Sequence, residues 1–127
     1  YDLIYVGFWG YRQGADMPSR NVLSSLHGKK VAIYGTAGTY PDSPAAMSYL
    51  KISSDLLAKD NIFVGGFMTQ GRVHSFHIGK RNEHAEKVHP MTPERLARLQ
   101  EAEKHPNETD FKNAAAWALK MLEKAKQ

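Results

Sequence analysis

Three short runs constrain this chain more than any other feature: Leu3 to Gly7, Lys30 to Gly35 and Ile62 to Met68 are apolar with no polar alternation. A strand with one face in water alternates, so unbroken apolarity asks for a parallel sheet covered on both faces. The spacers agree with that reading. From Pro18 to Leu26, the residues Val22, Leu23 and Leu26 fall at helical spacing, and His27-Gly28 supplies a glycine helix end. From Pro44 to Lys59, Ala46, Leu50 and Leu57 share a helix face that stops at Asp60-Asn61. The order strand, helix, strand, helix, strand predicts an α/β fold on a parallel sheet.

Beyond Met68 the pattern changes. Residues 69 to 91 are polar, glycine-bearing and rich in histidine, and read as a long excursion with one short helix. Thr92-Pro93-Glu94 then places an N-cap threonine before a proline at the first helical position, opening a charged helix to about Lys104 that His105-Pro106 stops. Asn107 and Asp110 start a last helix. On it Phe111, Ala114, Ala115, Ala118, Leu122 and Ala125 recur at helical spacing, which predicts an alanine stripe packed closely on the sheet.

Size and composition bound the function. A length of 127 residues builds one core and excludes a two-lobed enzyme. The absence of cysteine excludes disulfides, iron–sulfur clusters and thiol catalysis. No apolar run approaches the roughly 18 residues of a membrane span, and no secretory signal pattern is present, so the cytoplasm is the expected compartment and no membrane partner is expected. The net charge of +4 comes from 17 Lys and Arg spread among acids. No basic run is interleaved with stacking aromatics, which argues against nucleic acid. A basic face would instead steer an acidic protein partner or an anionic ligand.

In an open parallel sheet, ligands sit beyond the carboxyl ends of the strands. The first candidates are therefore Phe8 to Gly14, Thr36 to Asp42 and Thr69 to Arg72. Gly35-Thr36-Ala37-Gly38-Thr39-Tyr40 offers small residues whose amides can approach a ligand, although a tight strand-to-helix connection would use the same glycines. Trp9 and Tyr40 are large aromatics placed to cover a flat ring; the alternative for Trp9 is to fold back on the core. Tyr11 is in reach, Arg12 could meet an anionic group, and Gln70 could hydrogen-bond a polar ring edge. His74, His77, His84, His89 and His105 lack cysteine neighbours or an HExxH spacing and read as solvated rather than metal-binding. The serines lack a GxSxG context, and neither GxxxxGK[ST] nor GxGxxG is present. No catalytic residue is assigned.

The segment YDLIYVGFWGYRQGADMPSRNVLSSLHGKKVAIYGTAGTYPDS resembles the third strand, flavin loop, helix, fourth strand and second flavin loop of flavodoxins. Within that group the chain looks most similar to flavodoxin-like proteins of the BilS type, associated with bilirubin reduction. GKKVAIYGTAGTYPDS, FMTQGRV and HPMTPERLARLQEAEKHPNETDF extend the resemblance over nearly the whole chain. It implies a doubly wound parallel sheet with helices on both faces that binds FMN non-covalently and passes one or two electrons between protein partners. By this resemblance Phe8, Trp9, Gly10 and Tyr11 match the first isoalloxazine loop, Thr36, Ala37, Gly38, Thr39 and Tyr40 match the second, and Gln70 and Gly71 end the last strand near the ring.

The chain departs from the family at its start, where flavodoxins carry a strand and a Thr/Ser/Gly-rich phosphate loop, then a helix and a second strand. The resemblance therefore predicts that residues 1–127 form the C-terminal part of a flavodoxin-like domain, with three strands and an open apolar edge along Tyr1 to Gly7. A second copy of the chain, or another partner, would cover that edge. The implied role is an electron carrier serving a reductase or electron donor. The alternatives are a protein-interaction module on the same fold that binds no flavin, or a small FMN-dependent quinone or nitro reductase.

Overall fold

A computed structural model of the chain describes residues 1–11, 14–73 and 90–127. Four strands form one sheet in the order β2-β1-β3-β4. β1 (Ile4–Tyr11), β3 (Lys30–Ala37) and β4 (Ile62–Gln70) are parallel, and β2 (Gly14–Ala15) runs antiparallel to the end of β1. The expected three strands are thus joined by a fourth. Its two residues pair as Gly10 with Ala15 and Tyr11 with Gly14. A strand that short carries no apolar run, which is why the pattern of runs does not reveal it.

Four helices among the described residues complete the fold: α1 (Met17–Ser25), α2 (Pro44–Ser54), α3 (Pro93–Ala102) and α4 (Glu108–Ala125). Each begins at a side-chain cap, from Asp16, Ser43, Thr92 and Asn107 respectively. Asn107 and Asp110 close a reciprocal capping box. The second helix stops at Ser54, well short of the expected Lys59, with the N–H of Asp55 bonded to the carbonyls of Lys51 and Ser53. Leu56 and Leu57 still pack on the core from the turn that follows.

The two faces of the sheet are covered by different helices. On one, Val6, Phe8, Val31, Ile33 and Met68 meet Leu23 of α1 and Ala46 of α2. On the other, Ala32 and Val64 meet Met121 and Ala125 of α4. Here the helix is rotated from the expected stripe. Phe111, Ala115 and Leu122 face solvent, while Trp117 and Met121 turn inward beside Ala114, Ala118 and Ala125. The cause is aromatic packing: Trp117 stacks on Phe67 at 5.5 Å and meets Tyr5 and Tyr34 edge-on at 5.8 Å and 6.3 Å.

From Ile4 to Phe8, β1 has no neighbouring strand on the side away from β3 among the described residues. No described helix is long and apolar enough to cross a membrane.

Candidate functional site

The strands run further than their apolar cores. Phe8 to Tyr11, Thr36 to Ala37 and Thr69 to Gln70, expected as loops, belong to β1, β3 and β4. Glycine permits this where a ring must lie flat on the sheet. A Cβ on Gly35 would stand 2.4 Å from the Phe8 ring, and one on Gly7 2.6 Å from Tyr34, so each glycine is the floor for an aromatic on the neighbouring strand. Phe8 is accordingly 6% exposed and belongs to the core.

At the carboxyl ends of the strands, Trp9, Thr36 and Thr69 form one row, and Ala37 pairs with Gln70 beside them. Alternation puts Trp9 on the same sheet face as Tyr5, the face that α4 covers. It is 54% exposed. Tyr40, 40% exposed, stands in the connection from β3 to α2. One partly open aromatic thus ends β1 and the other lies in the connection that leaves its parallel neighbour β3. A cavity of about 290 Å³ lies on this face, lined by Tyr5, Tyr34, Thr36, Phe67, Thr69 and Trp117 among others. The indole Nε1 of Trp117 is buried without a hydrogen-bond partner.

Short polar contacts hold both segments. The N–H of Trp9 donates to Asp16 Oδ1 at 3.0 Å, and the N–H of Ser19 to Asp16 Oδ2 at 3.1 Å. The Ser19 hydroxyl lies 2.9 Å from both oxygens and 3.0 Å from the Gly7 carbonyl. Burial by itself would raise the Asp16 carboxyl, but the hydrogen bonds from Trp9 and Ser19 together hold it below its ordinary value. In the second segment, the Ser43 hydroxyl donates to the Tyr40 carbonyl at 2.6 Å and lies 3.0 Å from the Thr39 hydroxyl.

Gln70 is placed differently from its expected role at a ring edge. Its side chain is 2% exposed, and its amide donates to the carbonyls of Gly38 at 3.0 Å and Arg98 at 3.2 Å. It braces the second segment against α3. The N–H groups of Trp9 and Gly71 are likewise engaged, by Asp16 and by the Ala37 carbonyl at 2.8 Å. Gly10 and Tyr11 pair with β2, while Thr36, Ala37, Gly38 and Thr39 remain at least partly exposed. Arg12 and the histidines at 74, 77, 84 and 89 lie outside the described residues. Among the described residues no three His, Cys, Asp or Glu side chains are grouped to hold a metal. Asp16 was missed by reading runs, although an aspartate directly before Met17-Pro18 is an N-cap signal.

A family model for the flavodoxin domain matches residues 1–118. The chain belongs to the flavodoxin domain family. It is also similar to the flavodoxin-like domain-containing protein BilS of Clostridioides difficile (strain CD3), with 27% identity over 134 residues that cover 98% of this chain and 72% of that protein. Flavodoxin domains typically bind FMN, so both halves of that ligand can be tried against the residues present. The ring finds suitable chemistry in half-exposed Trp9 and Tyr40 and the small residues from Thr36 to Thr39. The phosphate does not. It needs open N–H groups at a helix start, whereas the four described helices carry their own caps, with carboxylates at α1 and α4 that would repel an anion.

Proposed function

We propose that this flavodoxin domain holds the isoalloxazine ring of FMN at the carboxyl ends of β1 and β3 and works as an electron carrier between protein partners. The observation that carries the reading is the pair of half-exposed aromatics, Trp9 at the end of β1 and Tyr40 in the connection that leaves the neighbouring parallel strand β3. An aromatic left in water at a strand end gives up apolar burial that a ring stacked on it would recover. Bound flavin would supply the one- or two-electron chemistry. The chain's own part is to orient the ring: Asp16 fixes the backbone of Trp9, and Gln70 and Ser43 fix the segment from Gly38 to Tyr40.

The phosphate end is assigned to residues outside those described. The position that fits is the open flank of β1, with a strand beside Ile4 to Phe8 and its helix over the apolar cavity formed by Tyr5, Tyr34 and Trp117. On this reading, residues 1–127 are the C-terminal part of the flavin-binding unit. The capped helix starts favour a second reading, an interaction module that binds no flavin.

Quenching of FMN fluorescence separates the two. The 127-residue chain and a form extended upstream are each titrated, with Trp9→Ala and Tyr40→Ala variants of whichever form binds. The carrier reading expects quenching at least by the extended form and a loss of about tenfold or more in affinity for each variant, the scale of a stacked aromatic. Absence of quenching by both forms would establish the interaction module instead.

A further inference from the structure

In α3 Ala102 is buried, Arg95, Arg98 and Leu99 are partly buried, and Leu96 is exposed. At its C-terminal end the ties are polar. Gln70 donates to the Arg98 carbonyl, the N–H of Arg72 donates to the His105 carbonyl at 3.1 Å, and the Arg72 guanidinium meets Glu103 at 2.8 Å in an exposed ion pair.

The tightest of these ties is the His105 ring. Its Nδ1 lies 2.6 Å from Asp110 Oδ2 on α4, and its Nε2 lies 3.0 Å from Glu101 Oε1 on α3. A neutral imidazole has one N–H and one lone pair, so it can satisfy one of two carboxylates and must turn a lone pair to the other. The imidazolium satisfies both. The Asn107 side-chain amide approaches Nδ1 at 3.4 Å, too far to displace Asp110. Asp110 Oδ2 also accepts the N–H of Asn107 at 2.9 Å, so the same oxygen joins His105 to the cap of α4.

We propose that His105 is a proton-operated clasp that fastens the last turn of α3 to the capped start of α4 and, through α3, positions Gln70 and the Gly38 segment of the site. Loss of the proton leaves Glu101 or Asp110 facing a lone pair, and α3 is released from its C-terminal end. Among the described residues, the charged groups around the ring are Glu101, Glu103 and Lys104 from α3 and its end, Arg72 from the exit of β4, and Asp110 from α4. Lys104 lies 3.5 Å from Glu101 and is exposed, so it weakens the pull of that carboxylate without replacing it.

The direction of the pH dependence follows. Hydrogen bonds to Asp110 first and Glu101 second raise His105 above its ordinary value, against a smaller opposing effect of burial. The clasp is therefore fully closed below about pH 6.5 and opens as pH rises through the raised value. Glu101 is lowered, chiefly by its hydrogen bond to His105 and then by the charge of Lys104, so its side of the clasp fails only as pH falls through that lowered value.

The test needs no flavin and so stands or falls apart from the carrier reading. Ring nitrogen NMR follows His105, and amide hydrogen exchange follows residues 93–102 at about pH 6 and about pH 9, corrected for intrinsic exchange chemistry. The expected result is a His105 that titrates above its ordinary value and α3 amides that exchange measurably faster at the higher pH. His105→Gln should exchange quickly at both pH values. Glu101→Gln, which leaves the α4 cap untouched, should narrow the difference even if His105→Gln folds poorly. A His105 that titrates at its ordinary value, or α3 exchange equal at the two pH values, overturns the clasp.

Discussion

Phe8→Ala and Trp9→Ala replace adjacent aromatics with opposite environments, and the pair should separate core from ligand surface. Phe8 is 6% exposed and lies over Gly35, where no side chain stands to fill the space it would vacate. Removing a buried phenylalanine ring costs about 3–5 kcal/mol, and a floor of glycine places the expected loss in the upper half of that range. A domain of this size holds about 5–15 kcal/mol in total, so the variant should keep only a fraction of its stability. Trp9 is 54% exposed, and truncating its buried part should cost about 1 kcal/mol. Urea unfolding followed by far-ultraviolet circular dichroism reads both. With a slope of about 1–3 kcal/mol per molar, Phe8→Ala should lower the midpoint by roughly 1 M or more. A Phe8→Ala loss below about 1.5 kcal/mol, or a Trp9→Ala loss equal to it, would refute the assignment of Phe8 to the core.

Other substitutions test the polar supports. Asp16→Ala removes both the α1 cap and the acceptor of the Trp9 N–H, and should cost about 1–3 kcal/mol at neutral pH by chemical denaturation. Because the folded Asp16 carboxyl is lowered from 3.8, its contribution is present above that pH and lost as pH falls through the folded value; the stability gap between wild type and Asp16→Asn should shrink on the acid side, and a constant gap would count against the network. Gln70→Glu turns a carboxylate toward the carbonyls of Gly38 and Arg98 and should cost about 3 kcal/mol or more, read as a fall in melting temperature, while Gln70→Met should cost less. Asn107→Ala should lose about 1 kcal/mol with the capping box, checked by the same melt.

The parallel core was legible because burial on both faces leaves a mark on every residue of a strand. Val31 and Ile33 meet the α1 and α2 side, Ala32 meets α4, and all are apolar. Helix starts were legible for a local reason too, since Thr92-Pro93 and Asn107 with Asp110 act within one turn. What was not legible depends on partners distant in sequence. Gln70 looks like a ligand donor until α3 brings the Arg98 carbonyl to it. Phe8 looks like part of an aromatic loop until Gly35 is known to lie beneath its ring. The rotation of α4 likewise follows from Trp117 meeting Tyr5, Tyr34 and Phe67, three residues on three strands.

The supports of Trp9 bear on how the open flank of β1 and the site can coexist. An uncovered strand edge normally lets the strand end fray, because its outward N–H and C=O groups are satisfied only by water. Here β2 pairs with Gly10 and Tyr11, Asp16 takes the N–H of Trp9, and the Ser19 hydroxyl reaches the Gly7 carbonyl. The end of β1 nearest the site is thus closed by residues within one short stretch of chain, and only the segment from Ile4 to Phe8 depends on whatever lies along the flank. Local supports of this kind set the orientation of Trp9 before the flank is covered. On the proposed flavin reading, covering the flank should change FMN affinity mainly by adding phosphate contacts; hydrogen exchange at Trp9 should be nearly the same in the 127-residue chain and in an upstream-extended form, whereas exchange at Tyr5 and Val6 should slow in the longer one. If protection at Trp9 rises as much as at Val6, the strand end depends on the flank after all, and Asp16 is a helix cap with no part in holding the site.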